Sequence, residues 1–539
     1  MADEAKPDVF ATRSKMQVPR FARNGKQKRK GVCGIALILL CWLGGCHADK
    51  NDSKTLVFLI ESSPNNLDLR QGTDSQSERI GELIFDPLVR KDEHFNLQPW
   101  LATSWERPDV LTWVFHLRGG VRFHDGKVMD AEDVAWSIKS MTNGALISAK
   151  GGAFADVVRL QVQGPLTLLV KTSKPDDSLL FNLSDGLFGV VERGAGRDEG
   201  LHPVGTGPFR FESQVQDKEV IVTRNADYWG GAPKIERVRF AVVPDTITAA
   251  LEMKKGASSG DAVVESNVLT QDMVHALRGT AGLVVETGPG ARVDYANFNV
   301  TDPALRDVRV RQAIACALDK PALIAALWRG QARPAESLLP PGHWAAAQDS
   351  ELPQYPRDVA RAVRLLDAAG LKPDKDGVRL RFTLKTSTDE TTRLEAQAIQ
   401  AELREAGIAL TLRSAEFGAF YSDITKGAFQ MYMLRWIGSN EDPDIFRYAY
   451  GSGSFPPKGG NRGRYSNARL DALLKQAAAE TDDGERRKAY VEAQRILAEE
   501  LPGIPLWYPD NVVVHSDRLT GVALNAGGSF DFLRTAALR

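Results

Sequence analysis

Between Gly31 and Leu43 the chain runs for 13 residues without a charge, and no later stretch gathers an apolar run of comparable length. A stable membrane-crossing helix needs about 20 such residues, so this run is too short to span. Basic residues from Arg20 to Lys30 precede it, with no acid among them. A basic flank followed by a short apolar core is the pattern of an export signal. The remaining chain must therefore bury its apolar side chains against itself. Nearly 500 residues are too many for one core and fit several lobes.

The apolar run ends in Leu43-Gly44-Gly45-Cys46. Small residues before a cysteine resemble the lipobox of bacterial lipoproteins, which implies cleavage before Cys46 and a lipid on its thiol. The other reading is a short anchor helix with an incidental cysteine. Cys33 and Cys41 would leave with the signal, so Cys316 is the one thiol expected in the folded body, and no disulfide can form there. Met16 stands just ahead of the basic stretch and is an alternative start to Met1. Nine basic and three acidic residues fall within 1–45, which leaves the body with a net charge of −7. An acidic body has no electrostatic reason to hold nucleic acid.

Thr55–Ile60 and Thr112–Leu117 read as strands, and Asp130 as the N-cap of a helix through Ile138. Strands are expected at 237–243, 378–384 and 408–413. Helices are expected at 246–255, 391–406, 467–480 and 483–500. This alternation predicts an α/β fold. Gly256 reads as the C-cap of the helix that begins at Thr246.

Ile84-Phe85-Asp86-Pro87-Leu88-Val89, Leu97 to Trp105, Trp113 to Gly126, Val204 to Phe209, Asn225 to Trp229 and Asp307 to Ile314 form an ordered series of short segments. They resemble the family 5 extracellular solute-binding proteins of peptide and nickel importers. The resemblance implies a periplasmic-binding-protein type II-like fold with three lobes and a hinge-closed cleft between lobes I and III. On that pattern, residues 1–45 are signal and 46–54 a lipidated tether. Lobe I takes 55–88, 201–290 and 506–539, lobe II takes 89–200, and lobe III takes 291–505. The hinge crossings fall near Glu286 to Tyr295 and Pro502 to Asp510.

The same resemblance places ligand against Ser62, Ser63 and Pro64 of lobe I and against Trp436, Gly438, Ser439, Asn440 and Asp442 of lobe III. Family members that hold a free peptide amino end carry a carboxylate three residues after the Trp. Here that position is Ser439. A hydroxyl offers no charge, and a charge-assisted bond is about twice as strong as a neutral one. Either the ligand presents no ammonium there, or a neighbour such as Glu441 or Asp442 supplies the charge. The resemblance further implies no cofactor and no catalysis, a location in the periplasm or at the cell surface, and a membrane permease and ATPase as partners.

Three motifs invite other readings. Phe123-His124-Asp125-Gly126 suggests a metal or acid–base pair, but a turn with Gly126 at a special φ explains it more simply, and no further ligands are spaced nearby. Gly256-Ala257-Ser258-Ser259-Gly260 matches G-x-S-x-G, which would make an exported hydrolase only if it joined a strand to a helix. The Gly451 to Arg464 stretch, with Lys458, Arg462 and Arg464, reads as a loop near the cleft mouth or as a solvated loop. A binding module that signals or chaperones without feeding transport would have the same fold.

Overall fold

The computed structural model describes residues 54–144, 146, 148–480 and 482–539. The expected signal, Met16 and Cys46 lie outside the described residues. Thr55–Ile60 is a strand buried along its whole length. It lies inside a seven-stranded sheet, parallel to Arg237–Val242 on one side and to Val263–Ser266 on the other. Its alternate residues feed two cores. Leu56, Phe58 and Ile60 pack with Phe240 and Phe530 on one face. Val57 and Leu59 pack with Ala249 and Met253 on the other. A strand covered on both faces reads as an unbroken apolar run, and that is the pattern in the sequence.

The sheet order is Leu283–Gly288, Asn511–Ser516, Val263–Ser266, Thr55–Ile60, Arg237–Val242, Glu219–Arg224 and Phe209–Val215. A four-stranded antiparallel sheet (Ala102–Asp109, Thr112–Leu117, Thr167–Thr172, Val157–Gly164) is inserted between the first and second of these strands in sequence. Helix Ala131–Thr142 packs with it, its start fixed by Asp130, which accepts from the Glu132 N–H, and by Asp133, which accepts from the Asp130 N–H. The third sheet has six strands, in the order Ala332–Pro334, Gly503–Pro509, Val293–Phe298, Met431–Trp436, Leu380–Ser387 and Ile408–Ala415.

The chain passes between the seven- and six-stranded sheets twice, after Gly288 and at Asp510. The two passages lie side by side. A Cβ on Gly290 would sit 2.1 Å from the carbonyl oxygen of Pro509, so only glycine lets them approach this closely.

Four of the six segments that carry the family resemblance meet at one carboxylate. Asp86 is fully buried. It accepts from Trp100 Nε1 at 2.8 Å, and from Thr206 Oγ1, Tyr228 OH and Trp229 Nε1 at 3.0 Å each. Arg534 Nη2 stands 3.5 Å away. These residues come from five separate stretches of chain, so Asp86 ties the start of the inserted sheet to the seven-stranded one.

One expectation is corrected. Gly256 is not a C-cap, because the helix runs on to Ser259 and ends at Gly260, whose φ of 74° is left-handed. Gly256 is glycine for another reason. A Cβ there would lie 2.7 Å from Val263 Cγ1, so the missing side chain lets the helix sit on its strand. Ser258 lies inside this helix and donates to the Lys254 carbonyl, so no strand-to-helix elbow exists. At Phe123 to Gly126 the structure has a turn, with Gly126 at φ 95° and His124 Nε2 bonded to the Gly207 carbonyl.

Candidate ligand cleft

Strand Met431–Trp436 pairs with Val293–Phe298 and Leu380–Ser387 in the six-stranded sheet and delivers Trp436 at its end. The indole is 9% exposed. It stacks on Tyr295 at 5.6 Å and 5°, and meets Tyr448 edge-on at 5.9 Å. The Arg462 guanidinium lies 5.5 Å from its ring centre. Among the described residues nothing accepts the buried indole N–H. Arg462 is therefore a buried residue beneath the aromatic rings, while Lys458 of the same stretch is exposed.

Ile437 follows and is exposed. Gly438 has φ 73° and ψ −56°, a conformation that suits glycine, and turns the chain into the short 3₁₀ segment Ser439–Glu441. Asn440 is fully buried, and its amide donates to Ala291 O at 2.6 Å and Leu338 O at 3.0 Å. Ala291 belongs to the first passage between the sheets, so Asn440 fastens the loop to that passage. Asp442 accepts from the Asp444 N–H at 2.9 Å, and burial, then the charge of Asp444, push its carboxyl up to about 6.

Ser62, Ser63 and Pro64 follow strand Thr55–Ile60, and the last two bond to the hairpin that joins Phe209–Val215 to Glu219–Arg224. Ser63 Oγ accepts from the Asp217 N–H at 2.8 Å, and the Pro64 carbonyl accepts from Gln214 at 3.3 Å. Ser62 is exposed. Among the described residues no hydrogen bond joins these three to the 436–442 loop, whereas Trp436, Gly438, Asn440 and Asp442 are brought together on it.

Sequence reasoning missed three residues here. Lys91 Nζ lies 2.6 Å from Glu441 in a pair that is almost entirely buried. Burial works against the lysine charge, yet Glu441 and Asp185 lift Lys91 above its ordinary value. His343 Nε2 donates to the Glu441 carbonyl at 3.0 Å, and its Nδ1 accepts from the Ala345 N–H at 3.0 Å. Glu82, on helix Ser75–Ile84, faces a cavity of about 140 Å³ that Lys91, Asp185, Gly438 and Glu441 also line. Glu441 also lines a second cavity, of about 780 Å³, bounded by Trp105, Trp113, Asp177, Trp344, Asp442 and Arg486. No local pattern marks any of the three, because their partners are far away in sequence.

His343 gives a pH signature. Burial pushes its imidazole down to about 4, and both ring nitrogens are committed as a neutral ring requires. The folded value lies below the unfolded value of about 6.5, so its contribution is full above that pH and is lost as pH falls toward 4. Between pH 7 and pH 5 this group alone removes about 2 kcal/mol of stability. Chemical denaturation of the parent and of His343→Gln at both pH values checks it. The variant is expected to lose less on acidification by about that amount.

The description of the bacterial extracellular solute-binding proteins, family 5 Middle, matches residues 96–456. Di/tripeptide-binding protein 4 of Pseudomonas aeruginosa is 30% identical over 91% of this chain and 96% of its own. The periplasmic binding protein DppA of Helicobacter pylori, ABC transporter-associated and solved with the peptide STSA, superposes with a TM-score of 0.72 at 25% identity, covering 90% of this chain and 98% of that one. NikZ of Campylobacter jejuni, solved with Ni(L-His), gives a TM-score of 0.74 at 25% identity over 90% and 100%. The chain belongs to the family 5 bacterial extracellular solute-binding proteins, a family of receptors and not of enzymes.

Proposed function

We propose that this protein is a lipid-anchored receptor that captures a short peptide or peptide-like solute outside the cytoplasmic membrane. It hands the solute to the permease and ATPase of an ABC importer. The observation that carries the reading is the 436–442 loop, held by Asn440 against the first of two adjacent passages between the large sheets. A loop fastened at such a place moves when the two sheets close on a ligand, and closure lets buried polar groups replace water around it. The seven-stranded sheet and its packing form lobe I, the four-stranded insertion lobe II and the six-stranded sheet lobe III. Cys46 carries the lipid, and the solute is held between Ser62 to Pro64 on one side and Trp436 to Asp442 on the other. Peptide-binding relatives support this ligand class.

Mass spectrometry of solutes released from the purified full chain, followed by titration with the peptides found, tests the reading. Release and tight rebinding of short peptides without turnover are expected. A tight non-peptide solute would overturn the ligand class, and unchanged peptide uptake in a deletion strain would favour a signalling or chaperone module. Cys46→Ser is expected to abolish labelling by a radioactive fatty acid, and persistent labelling would refute the anchor.

A further inference from the structure

The carboxylates around the 436–442 loop are unequal. Glu441 is committed to Lys91. Asp442 lines the other cavity and accepts a backbone N–H. Glu82 is different. Its residue is 8% exposed, and its Oε2 is buried without a hydrogen-bond partner among the described residues. Three cations near it are paired elsewhere. Lys91 pairs with Glu441 at 2.6 Å, Arg90 with Asp531 at 2.8 Å, and Lys150 with Glu78 at 2.9 Å. A fourth, Arg79, lies over the Phe530 ring, and Glu61, Glu82 and Glu78 favour its charge against burial. Opposite Glu82, Gly186 has φ 78°, and a Cβ there would stand 2.8 Å from Glu82 Oε1. Glycine at 186 thus leaves the carboxyl group clear on the cavity side.

The cavity carries five carboxylates, Glu78, Glu82, Asp92, Asp185 and Glu441, against the two cations Arg79 and Lys91. At about 140 Å³ it is too small for a whole peptide, since sites for drug-sized ligands run about 300–1,000 Å³. It has room for a terminal ammonium and the atoms beside it. Gly438 and Glu441 border it, and in sequence they flank Ser439, the position that lacks the expected charge.

We propose that this cavity is a cation subsite in which Glu82 receives the ligand's ammonium group. The proposal rests on the peptide-receptor reading above and deepens it, moving the charged anchor from the lobe III loop to a helix of lobe I. Burial, then the like charge of Asp185, push the Glu82 carboxyl up to about 8, with Arg90 and Lys91 opposing and Asp531 adding. Burial thus favours the neutral, proton-bearing carboxyl while the site is empty. As an ammonium enters, the Glu82 O–H bond breaks, its proton leaves to solvent, and the carboxylate pairs with the incoming cation.

The test titrates the full chain with a mixture of lysine-free tripeptides, once with free amino ends and once N-acetylated. The parent is expected to bind the free mixture at least tenfold more tightly. Glu82→Gln, checked for an unchanged melting temperature, is expected to bind the two mixtures within threefold of each other. Equal binding by the parent, or an undiminished preference in Glu82→Gln, overturns the subsite and leaves the receptor reading standing. Binding of neither mixture by the parent strikes at the receptor reading itself and takes the subsite with it. Should the variant not fold, calorimetry of the parent in two buffers of different ionisation enthalpy decides. Proton release with the free mixture and none with the acetylated one is expected, and equal release with both overturns the subsite.

Discussion

Asp86→Ala is expected to lower the unfolding free energy by about 4 kcal/mol or more, because it strands several buried donors at about 1–3 kcal/mol each. Trp100, Thr206, Tyr228 and Trp229 all give a hydrogen to this one side chain. The costs will not add fully, since the four donors share an acceptor and relax together. Arg534 keeps Asp531 as a second partner and so does not become an uncompensated charge. Asp86→Asn retains one acceptor oxygen but turns an amide toward donors, so an intermediate loss is expected. Urea unfolding of the three proteins measures this. A loss below about 1 kcal/mol for Asp86→Ala would mean that water replaces the carboxylate, and the hub would then not be structural.

Lys91→Met carries the second large effect. Removing one member of a buried pair commonly costs about 3–5 kcal/mol, because the other charge stays buried alone. Glu441 would be that charge, 5% exposed and already tied by its carbonyl to His343. The double variant Lys91→Met/Glu441→Gln removes the stranded charge and is expected to recover most of the loss. Denaturation of both single variants and the double closes the cycle. If the double variant is no more stable than Lys91→Met alone, the pair is not what holds the loop. Ligand affinity is expected to weaken in Lys91→Met, since the loop next to Gly438 and Ser439 loses its fastening to the start of the inserted sheet.

Much of the fold could be read from the chain. Thr55–Ile60 is legible because a strand buried on both faces must be apolar throughout, and helix Asp483–Glu500 because its composition and length leave little else. Asp130 was legible as a cap because capping is a local interaction. Gly256 was misread for a matching reason. A glycine near a helix end looks like a terminator, while the contact that requires it, with Val263, lies across a sheet layer. At the cleft, Trp436, Asn440 and Asp442 come as one run of sequence. Lys91, Glu82 and His343 join that run from 98 to more than 300 residues away, and each looks like an ordinary polar residue until tertiary packing removes its water.

The order of strands in the seven-stranded sheet sets when this protein can fold. Asn511–Ser516 is the last of the seven to be synthesised, yet it fills the place between Leu283–Gly288 and Val263–Ser266. Arg534 and Asp531, which complete the surroundings of Asp86, come later still. At about 5–20 residues per second, translation takes on the order of 20 to 90 s to go from the first strand of that sheet to the last. Throughout that interval the sheet has an open gap where its late strand belongs. Three strands that are far apart in the chain must therefore wait for one another: Val263–Ser266 and Leu283–Gly288 gain their shared neighbour only once residues 511–516 have been made, so the largest sheet closes late whatever the pace of the rest.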